Sequence, residues 1–129
     1  MATKAAPAPI ILWGSFLASQ VLYVALGLSG VLRDAAPADA ANPVLGILPI
    51  AFGGLAVVLA IGAHVVHGKT ADRPPGPILA WALDEAIAIL GLVLCILGAP
   101  LPYWLPFSAI GFGLTLLHRP REQASGGRP

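Results

Sequence analysis

The sequence predicts an all-α, polytopic membrane protein, and three observations lead to this fold class. Of its 129 residues, 57% are hydrophobic and 10% are charged, whereas a soluble domain usually contains about 25% charged residues. Four apolar stretches each approach the roughly 20 residues that a transmembrane helix needs. Because backbone groups in a bilayer must form their hydrogen bonds within the segment, each stretch is expected to be an α-helix.

The four predicted spans are separated by polar or turn-forming sequence and cover about residues 10–32, 44–67, 77–98 and 101–118. Short connections make sequential helices antiparallel neighbours, so the spans should form two antiparallel hairpins. The chain is expected to be a single membrane domain, residues 1–129, in which the Arg-, Gly- and Pro-rich tail 119–129 is disordered.

The first apolar stretch has two interpretations. Lys4 and the small-x-small residues 38–40 resemble the start and the cleavage site of a signal peptide. The apolar run is longer than the 7–15 residues of a signal core, and Arg33 and Asp34 separate it from the cleavage pattern. These features favour a retained transmembrane helix.

The basic residues predict the orientation of the chain. If the four spans alternate in direction, only Arg33 lies on one side, and the other side carries Lys4, Lys69, Arg73, Arg119, Arg121 and Arg128. By the positive-inside rule, both termini of this multi-pass protein should lie in the cytoplasm of a bacterial-type cell, beneath its inner membrane. An aromatic belt is then expected from Trp13 and Trp81 at the cytoplasmic interface and Tyr103 and Trp104 at the opposite one.

Two adjacent carboxylates, Asp84 and Glu85, lie inside the third span. Carboxylates in hydrocarbon are costly and commonly mark ion or proton pathways. At about 1.5 Å of rise per residue, they lie at nearly the same depth as Ser19, Gln20 and Ser108. The sequence leaves two readings open: a layer that binds a proton or cation, and a hydrogen-bonded cluster that keeps the helices in register. At least one carboxyl is expected to be protonated, because desolvation and like charge both disfavour the ionised form.

The two carboxylates are expected to face different surroundings. Asp84 shares a stripe of small residues with Ala80, Ala88 and Gly91, and such stripes allow close helix packing. It should therefore be buried between helices of one subunit. Glu85 lies about 100° further round the helix and should face a neighbouring subunit, a partner or lipid.

Three histidines offer an alternative metal site. His64 and His67 have the spacing of paired metal ligands, and His118 is a third candidate. A position beside lipid headgroups explains them equally well, and no cofactor is expected. No catalytic or nucleotide-binding motif is present, and the net charge of +1 gives no reason to expect a nucleic-acid partner. We therefore expect a protein that is not an enzyme.

The stretch Glu85-Ala-Ile-Ala-Ile-Leu-Gly-Leu-Val resembles the carboxylate-bearing helix of the proteolipid subunit of rotary ATP synthases. Asp72-Arg73-Pro74 and Gly53-Gly54 resemble that family's polar loop and glycine-rich helix. The resemblance covers the second and third spans and implies that Glu85 carries the translocated proton. The chain departs from the family in its two further spans and in the shorter distance from Arg73 to Glu85.

Two functions follow as expectations. The first is a non-enzymatic accessory or interaction subunit of a larger membrane assembly, or a homo-oligomer, because four short helices cannot enclose both a sheltered path and a lipid-facing shell. The second is translocation of a proton or cation through Asp84 and Glu85.

Overall fold

The computed structural model describes residues 8–34, 43–70 and 76–120, and the predicted all-α class is confirmed there, since these residues contain no strand. In chain order the helices are α1 Ala8–Leu28, α2 Val31–Asp34, α3 Val44–Thr70, α4 Gly76–Ile96 and α5 Leu101–Leu117. The predicted connections at 35–42 and 71–75, and the tail from 121 onward, lie outside the described residues.

Three of these helices are long and apolar enough to cross a membrane: Pro9–Leu28 within α1, together with α3 and α4. The fourth, α5, is apolar but has only 17 residues. At 1.5 Å per residue it is about 26 Å long, which is less than the hydrocarbon thickness of roughly 30 Å. Three helices of the structure are therefore compatible with a membrane protein, whereas α5 is shorter than a standard membrane span.

Glycine sets two helix ends that differ from the predicted boundaries. The predicted first helix ends four residues early, because Gly30 has a φ of 80° and α2 begins immediately after it. At the end of α4, Gly98 has a φ of 82°. Its N–H donates to the Cys95 carbonyl at 3.0 Å, and the Ala99 N–H donates to the Leu94 carbonyl at 2.9 Å. These two bonds form a Schellman motif, which glycine allows because it has no Cβ.

Helix α4 lies at the centre of the bundle and packs against α1, α3 and α5. Helix α5 also packs on α1 and only slightly on α3, whereas α1 and α3 make no contact among the described residues. The predicted first hairpin is therefore wrong as a packing unit, because α4 lies between its two helices. Cross-helix contacts show that α4 runs antiparallel to α3 and α5 and parallel to α1.

Two glycines bring α4 and α5 into close contact. A Cβ atom built on Gly91 would lie 2.7 Å from the Trp104 carbonyl oxygen, and one built on Gly111 would lie 2.8 Å from the Asp84 carbonyl oxygen. Because both obstacles are backbone atoms, neither can move aside without shifting a helix. Glycine at these positions allows the two backbones to approach closely, as is common between transmembrane helices.

The predicted aromatic belt is wrong at two of its four members. Trp81 and Trp104 are fully buried, whereas Tyr103 is exposed and Trp13 is half-buried. Their burial follows from helix packing, since the Trp104 ring lies against Gly27 of α1 and Trp81 packs near Phe16 at 6.3 Å between ring centroids. These two tryptophans fill the core instead of anchoring the protein at an interface.

Replacing Gly91 should therefore disturb the bundle more than trimming its neighbour. We expect Gly91→Leu to reduce the free energy of unfolding by at least about 1–3 kcal/mol, the usual cost of overpacking. Leu92→Ala, at a half-buried position, should cost less. Thermal unfolding of both variants in one detergent measures the difference, and an unaffected Gly91→Leu variant would contradict the close approach of α4 to α5.

Candidate functional site

The most buried charged group of the bundle forms a pair that the sequence did not suggest. Asp84 Oδ2 lies 2.8 Å from Nδ1 of His118, and both residues are at most 1% exposed. We call these two residues the acid–histidine pair. Burying a carboxyl group without a partner is costly, and the contact with His118 offsets this cost at Oδ2, whereas Oδ1 has no hydrogen-bond partner among the described residues. The pair links the centre of α4 to the end of α5.

The direction of the side chains explains how these two residues meet. Gly111, which is two turns before His118 on α5, already touches the Asp84 backbone. Side chains on an α-helix lean toward its N-terminus. Because α4 and α5 are antiparallel, the Asp84 side chain leans toward the end of the bundle that carries His118, and the His118 side chain leans back toward Asp84. We call this end of the bundle the His118 end.

Two tryptophans fix the position of His118. The residue caps the C-terminus of α5, where its N–H donates to the Leu114 carbonyl at 2.8 Å. The last carbonyls of a helix have no partner within the helix. Here the Trp81 indole N–H donates to the His118 carbonyl at 2.7 Å, and the Trp13 indole N–H donates to the Thr115 carbonyl at 2.8 Å. Helices α1 and α4 thereby hold the end of α5 and its imidazole in place.

The three histidines are neighbours in the structure. The His118 ring centroid lies 4.7 Å from that of His67 and 6.0 Å from that of His64. We call these three residues the histidine group. His118 is buried, His67 is half-buried and His64 is exposed. Within residues 8–34, 43–70 and 76–120, no set of three or more His, Cys, Asp or Glu side chains has an arrangement that could hold a metal ion.

Glu85 belongs to a different cluster on the α1 side of α4. Its Oε1 atom accepts hydrogen bonds from the Ser19 hydroxyl at 2.6 Å and the Tyr23 hydroxyl at 2.8 Å. Both hydroxyls belong to α1. The Ser19 Oγ atom also lies 2.8 Å from the Phe16 carbonyl oxygen. A hydroxyl has one hydrogen, so Ser19 cannot donate fully to the Glu85 and Phe16 oxygens at once. The polar contacts from Ser19 and Tyr23 hold Glu85 against α1 within the bundle.

Gln20 and Ser108, the other members of the predicted polar layer, form neither of these clusters. The Gln20 amide donates to the Thr115 hydroxyl at 2.8 Å, and that hydroxyl donates to the Gly111 carbonyl at 3.0 Å. Ser108 is buried near Gly91. Both residues line an apolar cavity of about 440 Å³ between α1 and α5. The predicted layer therefore does not surround one shared site. Asp84, Glu85 with Ser19, and Gln20 take part in three separate contacts, and the buried Ser108 hydroxyl has no hydrogen-bond partner among the described residues.

Sequence reasoning left four contributing residues out of the site: Trp13, Tyr23, Trp81 and Thr115. Tyr23 and Thr115 carried a usable signal, because each lies on the same helical face as a candidate residue, Ser19 and Ser108 respectively. The tryptophans carried no such signal. An indole near a predicted membrane interface indicates an anchor, and only the packing shows which carbonyl receives its N–H.

Comparison with known proteins adds no relative to this description. No family model, no curated protein sequence and no solved structure matches the chain.

Proposed function

We propose that this chain is a non-enzymatic accessory subunit of a membrane assembly, in which another transmembrane helix packs against it. One observation carries the proposal: α3 and α5 both lie on α4 but barely touch each other. They leave an apolar groove of about 320 Å³ between them. In lipid, helices associate mainly through close packing at small residues, so an open groove of this kind is a suitable surface for a partner.

The α3 side of this groove is lined mainly by small residues. Gly53, Ala56 and Ala60 of α3 face Phe107 and Ile110 of α5 across it. A Cβ atom on Gly53 would have no neighbour within 4 Å, so the groove leaves space for a partner's side chains along α3. Phe107 also belongs to the buried core cluster, whereas Gly53 and Ala60 are only half-buried and remain available for contact with a partner.

Blocking the groove should remove the partner without unfolding the subunit. We expect the wild-type protein to be recovered from native membranes in mild detergent as a complex, and Gly53→Leu to reduce the recovered partner at least about tenfold. Gly14→Leu is the matched control, because a Cβ on Gly14 also meets nothing within 4 Å and α1 does not line the groove. Recovery of a monomer from the wild type, or of an intact complex from Gly53→Leu, would contradict the proposal.

We further propose that α5 completes a fourth span and that both termini lie in the cytoplasm, in the inner membrane of a bacterial-type cell. Support comes from the antiparallel order of α3, α4 and α5 and from the basic residues near the His118 end, including Lys69 and Arg119. Reporter fusions at Lys4, Lys69 and Arg128 should indicate the cytoplasm, and a fusion at Asp39 should indicate the opposite side. A cytoplasmic Asp39 fusion would overturn the four-span topology.

A second candidate function is proton or cation translocation through Asp84 and Glu85. The observation that favours it is that Glu85 has partners in either protonation state. The ionised carboxylate accepts from Ser19 and Tyr23. A protonated carboxyl can instead donate to Ser19 Oγ while Ser19 donates to the Phe16 carbonyl. The resemblance of this helix to the proteolipid subunit of rotary ATP synthases assigns the same role to Glu85.

Substitution of Glu85 separates this candidate from a structural role. If Glu85 carries protons, Glu85→Gln should reduce proton flux into liposomes by about 100-fold or more, because an amide has no acid–base equilibrium near physiological pH. Glu85→Asp retains the carboxyl group and should restore part of the flux. A hydrophobic carbodiimide should label Glu85 in the wild type. A fully active Glu85→Gln protein together with absent labelling would leave only the structural role.

A further inference from the structure

Burial decreases stepwise along a series of four titratable side chains. Asp84 and His118 are at most 1% exposed, His67 is half-buried and His64 is exposed. The hydrogen bond of 2.8 Å joins the first two, and ring-centroid distances of 4.7 Å and 6.0 Å join His118 to His67 and His64. The series therefore leads from the interior of α4 to the surface at the His118 end. The hydrogen bond between Asp84 and His118 does not by itself require that His67 and then His64 be progressively more exposed.

We propose that the histidine group is a proton-exchange route between the aqueous surface at the His118 end and the Asp84 carboxylate. The inference rests on the second candidate function and adds to it an entry point and a direction. Histidine suits this task because its charge changes between about pH 5 and pH 8. It also has two ring nitrogens, so one can accept a proton while the other donates one.

The transfer can be written with every proton counted. With Asp84 ionised, its hydrogen bond to His118 places a proton on Nδ1 and leaves the lone pair on Nε2, which is buried and has no hydrogen-bond partner among the described residues. His118 accepts a proton at Nε2 from protonated His67, directly after a ring rotation or through one bridging water. It then passes its Nδ1 proton to Asp84 Oδ2. The carboxyl is now neutral, His118 is neutral in its other tautomer, and His67 is ready to be recharged.

Among residues 8–34, 43–70 and 76–120, His64 and His67 are the titratable side chains in ring contact with His118. Helix α3 contributes His64 and His67, α4 contributes Asp84, and α1 contributes only the Trp13 indole near this end. Lys69 and Arg119 lie at the same end but are exposed. Glu85 bonds to Ser19 and Tyr23 on the α1 side of α4, so it belongs to a separate branch.

Time-resolved infrared spectroscopy tests the route in protein held in lipid nanodiscs. Acidification from about pH 9 to about pH 5 should produce a carboxylic C=O band that Asp84→Asn removes and Glu85→Gln retains. In a His64→Phe/His67→Phe variant, the band should reach the same final amplitude but appear at least about tenfold more slowly. Adding imidazole to the buffer should restore part of the lost rate, which a purely structural role of the two rings does not predict.

Val65→Phe is the matched control, because Val65 is an exposed position between the two histidines and a phenyl ring there adds bulk without removing an imidazole. Its rate should equal that of the wild type. An unchanged rate in the double histidine variant would overturn the route and leave proton binding at Asp84 intact. Absence of any Asp84 band in the wild type across this pH range would overturn the proton-binding function on which the route depends.

Discussion

The hydrogen bond between Asp84 and His118 constrains much of this bundle, because a carboxylate cannot remain buried between helices without a partner. For His118 to reach Asp84, the C-terminal end of α5 must lie close to α4. The Trp13 and Trp81 indoles hold that helix end in place by hydrogen bonds to its carbonyl groups. The α4–α5 pair is therefore positioned by polar contacts at the His118 end. The Schellman motif at Gly98 fixes its other end.

The same pair requires the close approach of two backbones. There is no room for a Cβ atom at Gly91 or Gly111. Because these residues have no side chain, the Asp84 carbonyl oxygen lies against Gly111 of α5, and the Trp104 carbonyl oxygen lies against Gly91 of α4. Apolar packing and polar pairing thus act on the same interface. Removal of one would weaken the other, because a wider gap between α4 and α5 would lengthen the bond from Asp84 to His118.

Adjacent carboxylates serve two surroundings because a helix turns by about 100° per residue. Asp84 faces α5 and an imidazole, whereas Glu85 faces α1 and two hydroxyls. Imidazole can be cationic and hydroxyls cannot, so the two acids are compensated by different chemistry. Both acids lie on α4, the helix that packs against α1, α3 and α5.

The sequence by itself determined the four long helices, though not where each one ends, and the burial of Asp84. Hydrophobic runs must become helices in a bilayer, and a stripe of small residues must face another helix, so both conclusions depend only on local order along the chain. Only the tertiary structure decided which polar groups meet. Depth estimates along helix axes placed Ser108 beside Asp84, but side chains lean toward helix N-termini, and in antiparallel helices this brings His118 to Asp84 instead. The central position of α4 and the burial of Trp81 and Trp104 were also beyond the sequence, because they depend on how α1, α3 and α5 share the surface of one helix.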